Sequence, residues 1–149
     1  MQQLLDRGYS ESFLRVRYAE TDQMGVVYHA NYLVWFEVGR VDYIRAVGLD
    51  YASMEREEGA MIAVVEARAR YKAPARYDDE LVVRTRLAGV RGSIIRFGYS
   101  VVRVSDGVLL CEGETVHLVV DREMRRRTMP AKYAQRFTEL AHRIPVSEG

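Results

Sequence analysis

The chain has 149 residues, of which 48% are apolar and 29% charged, so it is long enough for one domain that buries roughly 70% of its unfolded surface. The formal net charge of +1 gives no global indication of a nucleic-acid-binding field or an acidic tail, and the arginine run 125–127 is the local exception. No run reaches the ~20 apolar residues of a membrane-spanning helix, and the N-terminus lacks the apolar core of a signal peptide. Because the single cysteine also fits a reducing compartment, we expect a soluble cytoplasmic protein.

The first part of the chain predicts a strand and a long helix. Residues 12–18 alternate between apolar and charged side chains, which is typical of a half-buried strand. After a turn over residues 21–25, the segment 31–47 predicts a helix that ends at Gly48, because large apolar residues recur every three or four positions. This face consists of Tyr32, Trp35, Phe36, Gly39, Tyr43 and Val47. The other faces are also largely apolar, so we expect other parts of the structure to enclose the helix.

The rest of the chain predicts a short helix, a group of strands and a final helix. Asp50 is a typical N-cap for a helix that ends near residue 58. Segments rich in Val, Ile and Tyr predict strands, at residues 62–71, 81–90, 93–104 and 108–121. Glycine-containing turns join the last three strands into hairpins. Pro130 suits the first position of a helix that ends at about residue 142.

These elements predict one α+β domain over residues 1–149. Long hairpins need a face to cover, and the early helix is the long apolar one. We therefore expect a curved antiparallel sheet wrapped around a long central helix. Its core should span about residues 12–128, and the C-terminal helix about residues 130–142.

The segment 18–32, Tyr-Ala-Glu-Thr-Asp-Gln-Met-Gly-Val-Val-Tyr-His-Ala-Asn-Tyr, is the most informative part of the chain. It places Asp22 after the first strand, a turn at Gly25, and His29 where the long helix begins, with Asn31 as the expected helix N-cap. A carboxylate beside a helix N-terminus pairs a nucleophile or base with N–H groups that can stabilise an oxyanion. This combination indicates acyl-transfer chemistry.

The same segment resembles the active-site motif of the hotdog-fold 4-hydroxybenzoyl-CoA thioesterase family, most of all that of its bacterial Tol–Pal-associated acyl-CoA thioesterase branch. The specific motif is residues 22–32, with supporting matches at residues 71–80, 90–93 and 112–116. The resemblance implies hydrolysis of a thioester of coenzyme A or of acyl carrier protein. It also implies no metal, no cofactor apart from the coenzyme A of the substrate, and a homodimer or homotetramer with active sites at the subunit interface.

By this resemblance, Asp22 is the catalytic acid, acting as nucleophile toward the thioester or as general base for water. A purely structural alternative is that Asp22 caps the turn beside glycine through its side chain. The backbone N–H of His29, with those of its neighbours, corresponds to the oxyanion site, and a role for the imidazole stays open. Gly25 would let the backbone turn tightly. Tyr28 and Tyr32 either line the acyl or pantetheine pocket or belong only to the core.

Cations should line the path of coenzyme A, because the molecule carries phosphates. Lys72, Arg91 and the arginine run 125–127 are the candidates, and Ser93 is a candidate hydrogen-bond partner for the pantetheine arm. Each of these side chains, taken alone, is more typical of an ordinary solvated surface position, and the arginine run could also contact an acidic carrier protein.

Glu37 is the competing catalytic acid, because a second group of hotdog thioesterases carries its acid on the central helix. Arg40, three residues later, offers Glu37 a surface ion pair instead. Cys111 lies in an apolar run, where a thiol is normally buried and unreactive. The chain has no Gly-x-Ser-x-Gly motif, and its three histidines lack metal-ligand spacing.

The leading hypothesis is therefore an acyl-CoA thioesterase. The alternative is a non-catalytic acyl-CoA-binding or carrier-protein interaction module on the same fold, which would not need an ionised carboxylate beside the thioester. The sequence leaves the acyl group open between aromatic, short aliphatic and long aliphatic, since one methylene changes discrimination by only ~1–3 kcal/mol.

Overall fold

The structure, a computed structural model, describes residues 2–143. Its helices are α1 Gln2–Arg7, α2 Asn31–Ala46, α3 Tyr51–Glu58 and α4 Ala131–Arg143. Its strands are β1 Ser10–Arg15, β2 Met61–Tyr71, β3 Glu80–Arg91, β4 Ile94–Arg103 and β5 Leu109–Val120. The predicted order of elements is confirmed, and α1 is an additional short helix that the sequence patterns do not predict.

The strands form a single antiparallel sheet of five strands in the order β1-β3-β4-β5-β2. Helix α2 packs across one face of this sheet, where it contacts β1, β2, β3 and β4. The expected α+β class, a curved antiparallel sheet around a long helix, is confirmed. Strands β1 and β2 form the two edges of the sheet within the described chain.

Two glycines let α2 approach the sheet closely. A Cβ atom on Gly39 of α2 would collide with the hydroxyl of Thr85 on β3. Gly113 of β5 likewise leaves room for the Phe36 ring, which stacks on Tyr99 with centroids 4.4 Å apart and planes at 8°. The predicted inner face of α2 is buried throughout, at Tyr32, Trp35, Phe36, Gly39, Tyr43 and Val47.

The first strand ends earlier than predicted. Strand β1 stops at Arg15, and Tyr18, expected on the inward face of that strand, instead begins a 3-10 turn that ends at Glu20. Tyr18 is 77% exposed, and its ring meets the Tyr77 ring edge-on. The turn closes because the Glu20 carboxylate accepts a 2.8 Å hydrogen bond from the Arg17 N–H. Strand alternation takes no account of such a side-chain bond.

One face of α2 is not covered by the described chain. Leu33, Val34 and Val38 on this face are 42%, 54% and 41% exposed. The expectation that the structure encloses the whole helix is therefore wrong for a single copy of residues 2–143. The uncovered face lies beside β2, whose outer edge pairs with no other strand in that range.

Candidate active site

Asp22 lies in a tight turn that precedes α2. Its N–H donates to the Val26 carbonyl over 2.8 Å, and its carbonyl accepts from the Gly25 N–H over 3.0 Å. The carboxylate oxygen Oδ1 accepts from the N–H groups of Met24 at 2.9 Å and Val26 at 3.4 Å. Gly25 occupies the left-handed position of the turn, with φ of 78°. Oδ1 therefore holds the turn, while Oδ2 has no hydrogen bond to the described residues.

A cavity of about 370 Å³ opens beside this turn. Asp22, His29, Tyr32 and Lys72 all line it, so these predicted site residues meet in one place. The other lining residues are mostly apolar, namely Met24, Val26, Val27, Tyr71, Ala73 and Pro74. An apolar space with a few converging polar groups is typical of a small-molecule site.

The start of α2, next to the cavity-lining His29, has unpaired N–H groups. Ala30, not the expected Asn31, occupies the N-cap position, and no side chain caps the helix there. Asn31 is the first helical residue, and its side chain donates to the Glu20 carbonyl at 2.9 Å. The N–H groups of His29 and Ala30 have no acceptor among residues 2–143. Such groups, at the positive end of a helix, are suited to stabilise a developing oxyanion.

Glu20 connects the turn to the helix. Its side chain accepts a 3.2 Å hydrogen bond from Trp35 Nε1–H, and the residue is only 8% exposed. Its carbonyl also accepts from the Tyr28 N–H at 2.9 Å. Sequence reasoning missed Glu20, because Trp35 is 15 residues away in the chain and no local pattern pairs them.

Two tyrosines flank His29. Tyr28, a predicted pocket residue, is 49% exposed and stacks obliquely on the His29 ring at 4.5 Å, outside the lining of the cavity. Tyr71, which the motif did not single out, lines the cavity and donates its hydroxyl to the His29 carbonyl at 3.2 Å. Only the folding of β2 beside the start of α2 brings Tyr71 to this position.

Two predicted substrate-binding residues lie far from the cavity. Arg91 and Ser93 flank the turn between β3 and β4, whereas the cavity adjoins the opposite end of the sheet. Strand β3 contains 12 residues, which at ~3.3 Å per residue separates its ends by roughly 36 Å. Ser93 is also buried. Neither residue therefore reaches the cavity of its own chain.

Of the other predicted cations, Lys72 lies at the cavity, whereas Arg127 stabilises the fold. Lys72 lines the cavity, with Nζ 3.9 Å from a carboxylate oxygen of Glu112. Arg127 donates to the Glu58 carbonyl at 2.7 Å and so pairs a backbone group at the C-terminus of α3. Part of the arginine run 125–127 is thus used to hold the fold together.

Glu37, the competing catalytic acid, lies outside the Asp22 cavity. Glu37 is exposed and lines a second cavity, of about 280 Å³, with Arg40. Arg40 donates to the Tyr99 hydroxyl at 3.1 Å, and the expected ion pair with Glu37 is absent from the described residues.

Burial raises the pKa of the Cys111 thiol to about 12. Burial also lowers the pKa of His117 to about 3, so neither group is charged near neutral pH.

Two further features are absent from residues 2–143. No group of three or more His, Cys, Asp or Glu side chains there is arranged to hold a metal ion. None of the helices in this range has the length and apolar character needed to cross a membrane.

Comparison with known proteins assigns the family. Residues 16–137 match the thioesterase-like superfamily. The chain belongs to this family. The Bacillus subtilis protein YneP is 42% identical over 114 residues, which cover 76% of this chain and 81% of that protein. Acyl-CoA thioester hydrolase YbgC of Escherichia coli O6:H1 is 32% identical over 127 residues, or 85% of this chain and 93% of that protein.

Among solved structures, the DHNA-CoA thioesterase of Staphylococcus aureus matches with a TM-score of 0.85 and 29% identity. The match covers 90% of this chain and 91% of that chain. The expected hotdog fold and the expected class of enzyme, a thioesterase, are confirmed. The similarities do not test individual side chains, so the roles of Asp22 and His29 stay predictions.

We predict that Cys111 resists a coloured thiol reagent at pH 8 in the native protein and reacts fully once urea unfolds the chain. With a pKa of about 12, only about one thiol in ten thousand is the reactive thiolate at that pH. Absorbance during labelling measures the rate. Fast labelling of the native protein would contradict the buried position of this residue.

Proposed function

We propose that this protein hydrolyses acyl-CoA thioesters to a free acid and the thiol of coenzyme A. The observation that carries the proposal is that Asp22 and His29 line one cavity, where α2 begins with the N–H groups of His29 and Ala30 unpaired among residues 2–143. The names of two relatives, an acyl-CoA thioester hydrolase and a DHNA-CoA thioesterase, support coenzyme A as the carrier. Acyl carrier protein is the other carrier to test.

In the proposed reaction, the N–H groups of His29 and Ala30 donate to the thioester oxygen as it gains negative charge. A donor of this kind contributes about 3–4 kcal/mol in enzymes where it has been tested. Asp22 acts through Oδ2, because Oδ1 holds the turn. It either attacks the carbonyl carbon or takes a proton from a water molecule that attacks.

In both routes the leaving group, the water and the proton are accounted for. In the first, coenzyme A leaves as a thiolate, and water then cleaves the mixed anhydride on Asp22. In the second, the tetrahedral adduct expels the thiolate directly, and the proton held by Asp22 neutralises it. Both routes use a carboxylate, backbone N–H groups and water, so we propose no metal and no separate cofactor.

We propose the cytoplasm as the compartment, because the lone Cys111 fits a reducing environment.

We propose further that the active unit is a homodimer, or a tetramer built from such dimers. Val64 and Val65 on the edge strand β2 are 51% and 57% exposed, beside the uncovered face of α2. Exposed apolar edge strands are rare in monomers, because they template pairing with another chain. A second copy whose β2 pairs antiparallel with this edge, about a two-fold axis, would cover both surfaces.

Such pairing would bring the remaining predicted residues to the cavity. Antiparallel β2 strands place the start of the second strand beside Tyr71, at the end of the sheet that adjoins the cavity. The β3–β4 turn of the second copy, with its Arg91 and Ser93, then lies at this same end. It lies three to four strands from Tyr71, or about 14–19 Å at ~4.8 Å per strand. Arg91, which is exposed, would therefore be placed to contact coenzyme A from the second subunit, whereas Ser93 is buried in its own chain.

The non-catalytic alternative has one observation in its favour, since Asp22 has a structural task of its own. Asp121 forms the same turn, with Oδ1 accepting from the N–H groups of Glu123 at 2.8 Å and Arg125 at 3.0 Å. A turn-forming aspartate therefore exists in this chain away from the Asp22 cavity. The Asp121 turn provides a matched control for the Asp22 turn.

We predict that Asp22→Asn lowers kcat for acyl-CoA hydrolysis at least ~100-fold, while Asp121→Asn leaves it near the wild-type value. Asparagine keeps the Oδ1 acceptor in both turns, so both variants should remain folded. Thiol release from a panel of aromatic and aliphatic acyl-CoAs and acyl carrier protein thioesters measures the rates, and circular dichroism checks the fold.

Three outcomes would count against the proposal. Wild-type activity in Asp22→Asn together with an inactive Glu37→Gln would move the catalytic acid to α2. Equal losses in Asp22→Asn and Asp121→Asn would indicate that only the turns matter. Tight binding of acyl-CoA without thiol release by the wild type, on the whole panel, would favour the binding module.

We predict that Val65→Arg on β2 yields a monomer with much reduced activity, because it places a charge in the proposed interface. Val104→Arg is the control, since Val104 is also exposed, at 44%, but lies beyond the end of β4. Analytical ultracentrifugation at matched concentrations measures the assembly state. A wild-type monomer with full activity would rule out the proposed subunit interface.

A further inference from the structure

Tyr71 stands at the end of the edge strand β2 and faces the start of α2. Its hydroxyl donates to the His29 carbonyl at 3.2 Å. Its ring meets the rings of Tyr32 and His29 edge-on, with centroids 5.4 Å and 6.1 Å away. Tyr71 is therefore held on two sides and in turn holds the peptide that joins His29 to Ala30.

That peptide carries one of the N–H groups proposed for the oxyanion site. In a trans peptide the C=O of His29 and the N–H of Ala30 point in opposite directions within one plane. A hydrogen bond that fixes the carbonyl therefore also fixes the direction of the N–H. Donation to a carbonyl further polarises the amide, which makes its N–H a better donor.

The same carbonyl makes only one other bond among residues 2–143, a 3.3 Å hydrogen bond from the Tyr32 N–H. This bond is long and belongs to the first turn of the helix, where ends commonly fray. No side chain caps the N-terminus of α2. The Tyr71 hydroxyl, by donating to the His29 carbonyl, is the side-chain contact that orients this peptide within the described chain.

Two properties of Tyr71 suit this task. Burial raises the pKa of its hydroxyl, so the group stays protonated and able to donate throughout the neutral range. The residue is nevertheless 49% exposed, so loss of the hydroxyl alone leaves no buried polar group without water.

We propose that Tyr71 is a positioning residue for thioester hydrolysis: it orients the His29–Ala30 peptide so that the Ala30 N–H meets the developing oxyanion. This inference rests on the proposed function. Tyr71 touches neither the reacting carbon nor the leaving group in this assignment. Its effect should therefore appear in the chemical step and not in the binding of substrate.

The test compares Tyr71→Phe with Tyr77→Phe. Tyr77 is similarly exposed, at 58%, and lies outside the lining of the cavity. We expect Tyr71→Phe to lower kcat ~3–10-fold, the worth of one orienting hydrogen bond. KM and the Kd of a non-hydrolysable CoA thioether, which has no carbonyl oxygen, should stay within about twofold. Tyr77→Phe should match the wild type in all three quantities.

A second measurement does not depend on turnover. The amide proton of Ala30 should shift in the NMR spectrum of Tyr71→Phe and not in that of Tyr77→Phe, because only the first change removes a bond to its peptide group. Unchanged kcat in Tyr71→Phe, or an unmoved Ala30 amide, would overturn the assignment. A loss of affinity for the thioether as large as the loss in kcat would also overturn it, because Tyr71 would then act in substrate binding.

The two proposals fail in different ways. A wild type that releases thiol and depends on Asp22, together with a fully active Tyr71→Phe, would overturn the Tyr71 inference alone. A wild type that releases no thiol from any acyl-CoA or acyl carrier protein thioester would overturn both.

Discussion

The candidate site depends on one buried carboxylate, that of Glu20. Its side chain accepts from the Arg17 N–H and the Trp35 indole, and its carbonyl accepts from the Tyr28 N–H and the Asn31 side chain. A buried carboxylate without such partners would cost several kcal/mol. The two side-chain bonds offset this cost, and together with the two bonds to its carbonyl they link both sides of the Asp22 turn to α2. The acid and the start of the helix keep a fixed separation for this reason.

The turn that carries Asp22 is a local structure that this chain uses twice. At Asp121 it closes a loop after β5, with Met124 at the left-handed position that Gly25 occupies in the first turn. The difference between the two sites is what surrounds the carboxylate. Asp22 lines an apolar cavity beside a helix start, whereas the hydrogen bonds of Asp121 to backbone N–H groups lower its pKa in an exposed loop. Local sequence forms the turn, and tertiary structure determines what the turn can do.

Much of this arrangement is predictable from the sequence, for a physical reason. The 3.6-residue period of α2 and the β-rich hairpins are local patterns, and Asp22 and His29 are separated by only seven positions in one motif. The site residues that prediction missed join distant segments. Glu20 meets an indole on the second turn of α2, and Tyr71 is brought to His29 by a strand 42 residues later.

One other expectation was wrong, and one stays a prediction. Tyr18 follows the alternation of the first strand, but a side-chain hydrogen bond ends that strand before it. Arg91 and Ser93 are predicted from a family resemblance that places the active sites at a subunit interface, so one chain alone does not test their role. The single chain holds the acid, the helix start and Lys72 at one cavity, whereas Arg91 and Ser93 lie at the far end of its sheet.

The central claim is that Asp22 and the N–H groups of His29 and Ala30 act on the same thioester carbonyl, Asp22 at its carbon and the N–H groups at its oxygen. A crystal structure of Asp22→Asn with an intact acyl-CoA tests it most directly. The account predicts that the thioester oxygen lies within about 3.2 Å of one or both amide nitrogens, with the carbonyl carbon beside the substituted side chain at position 22. A carbonyl bound beside Glu37, with these amides still unpaired, would contradict it.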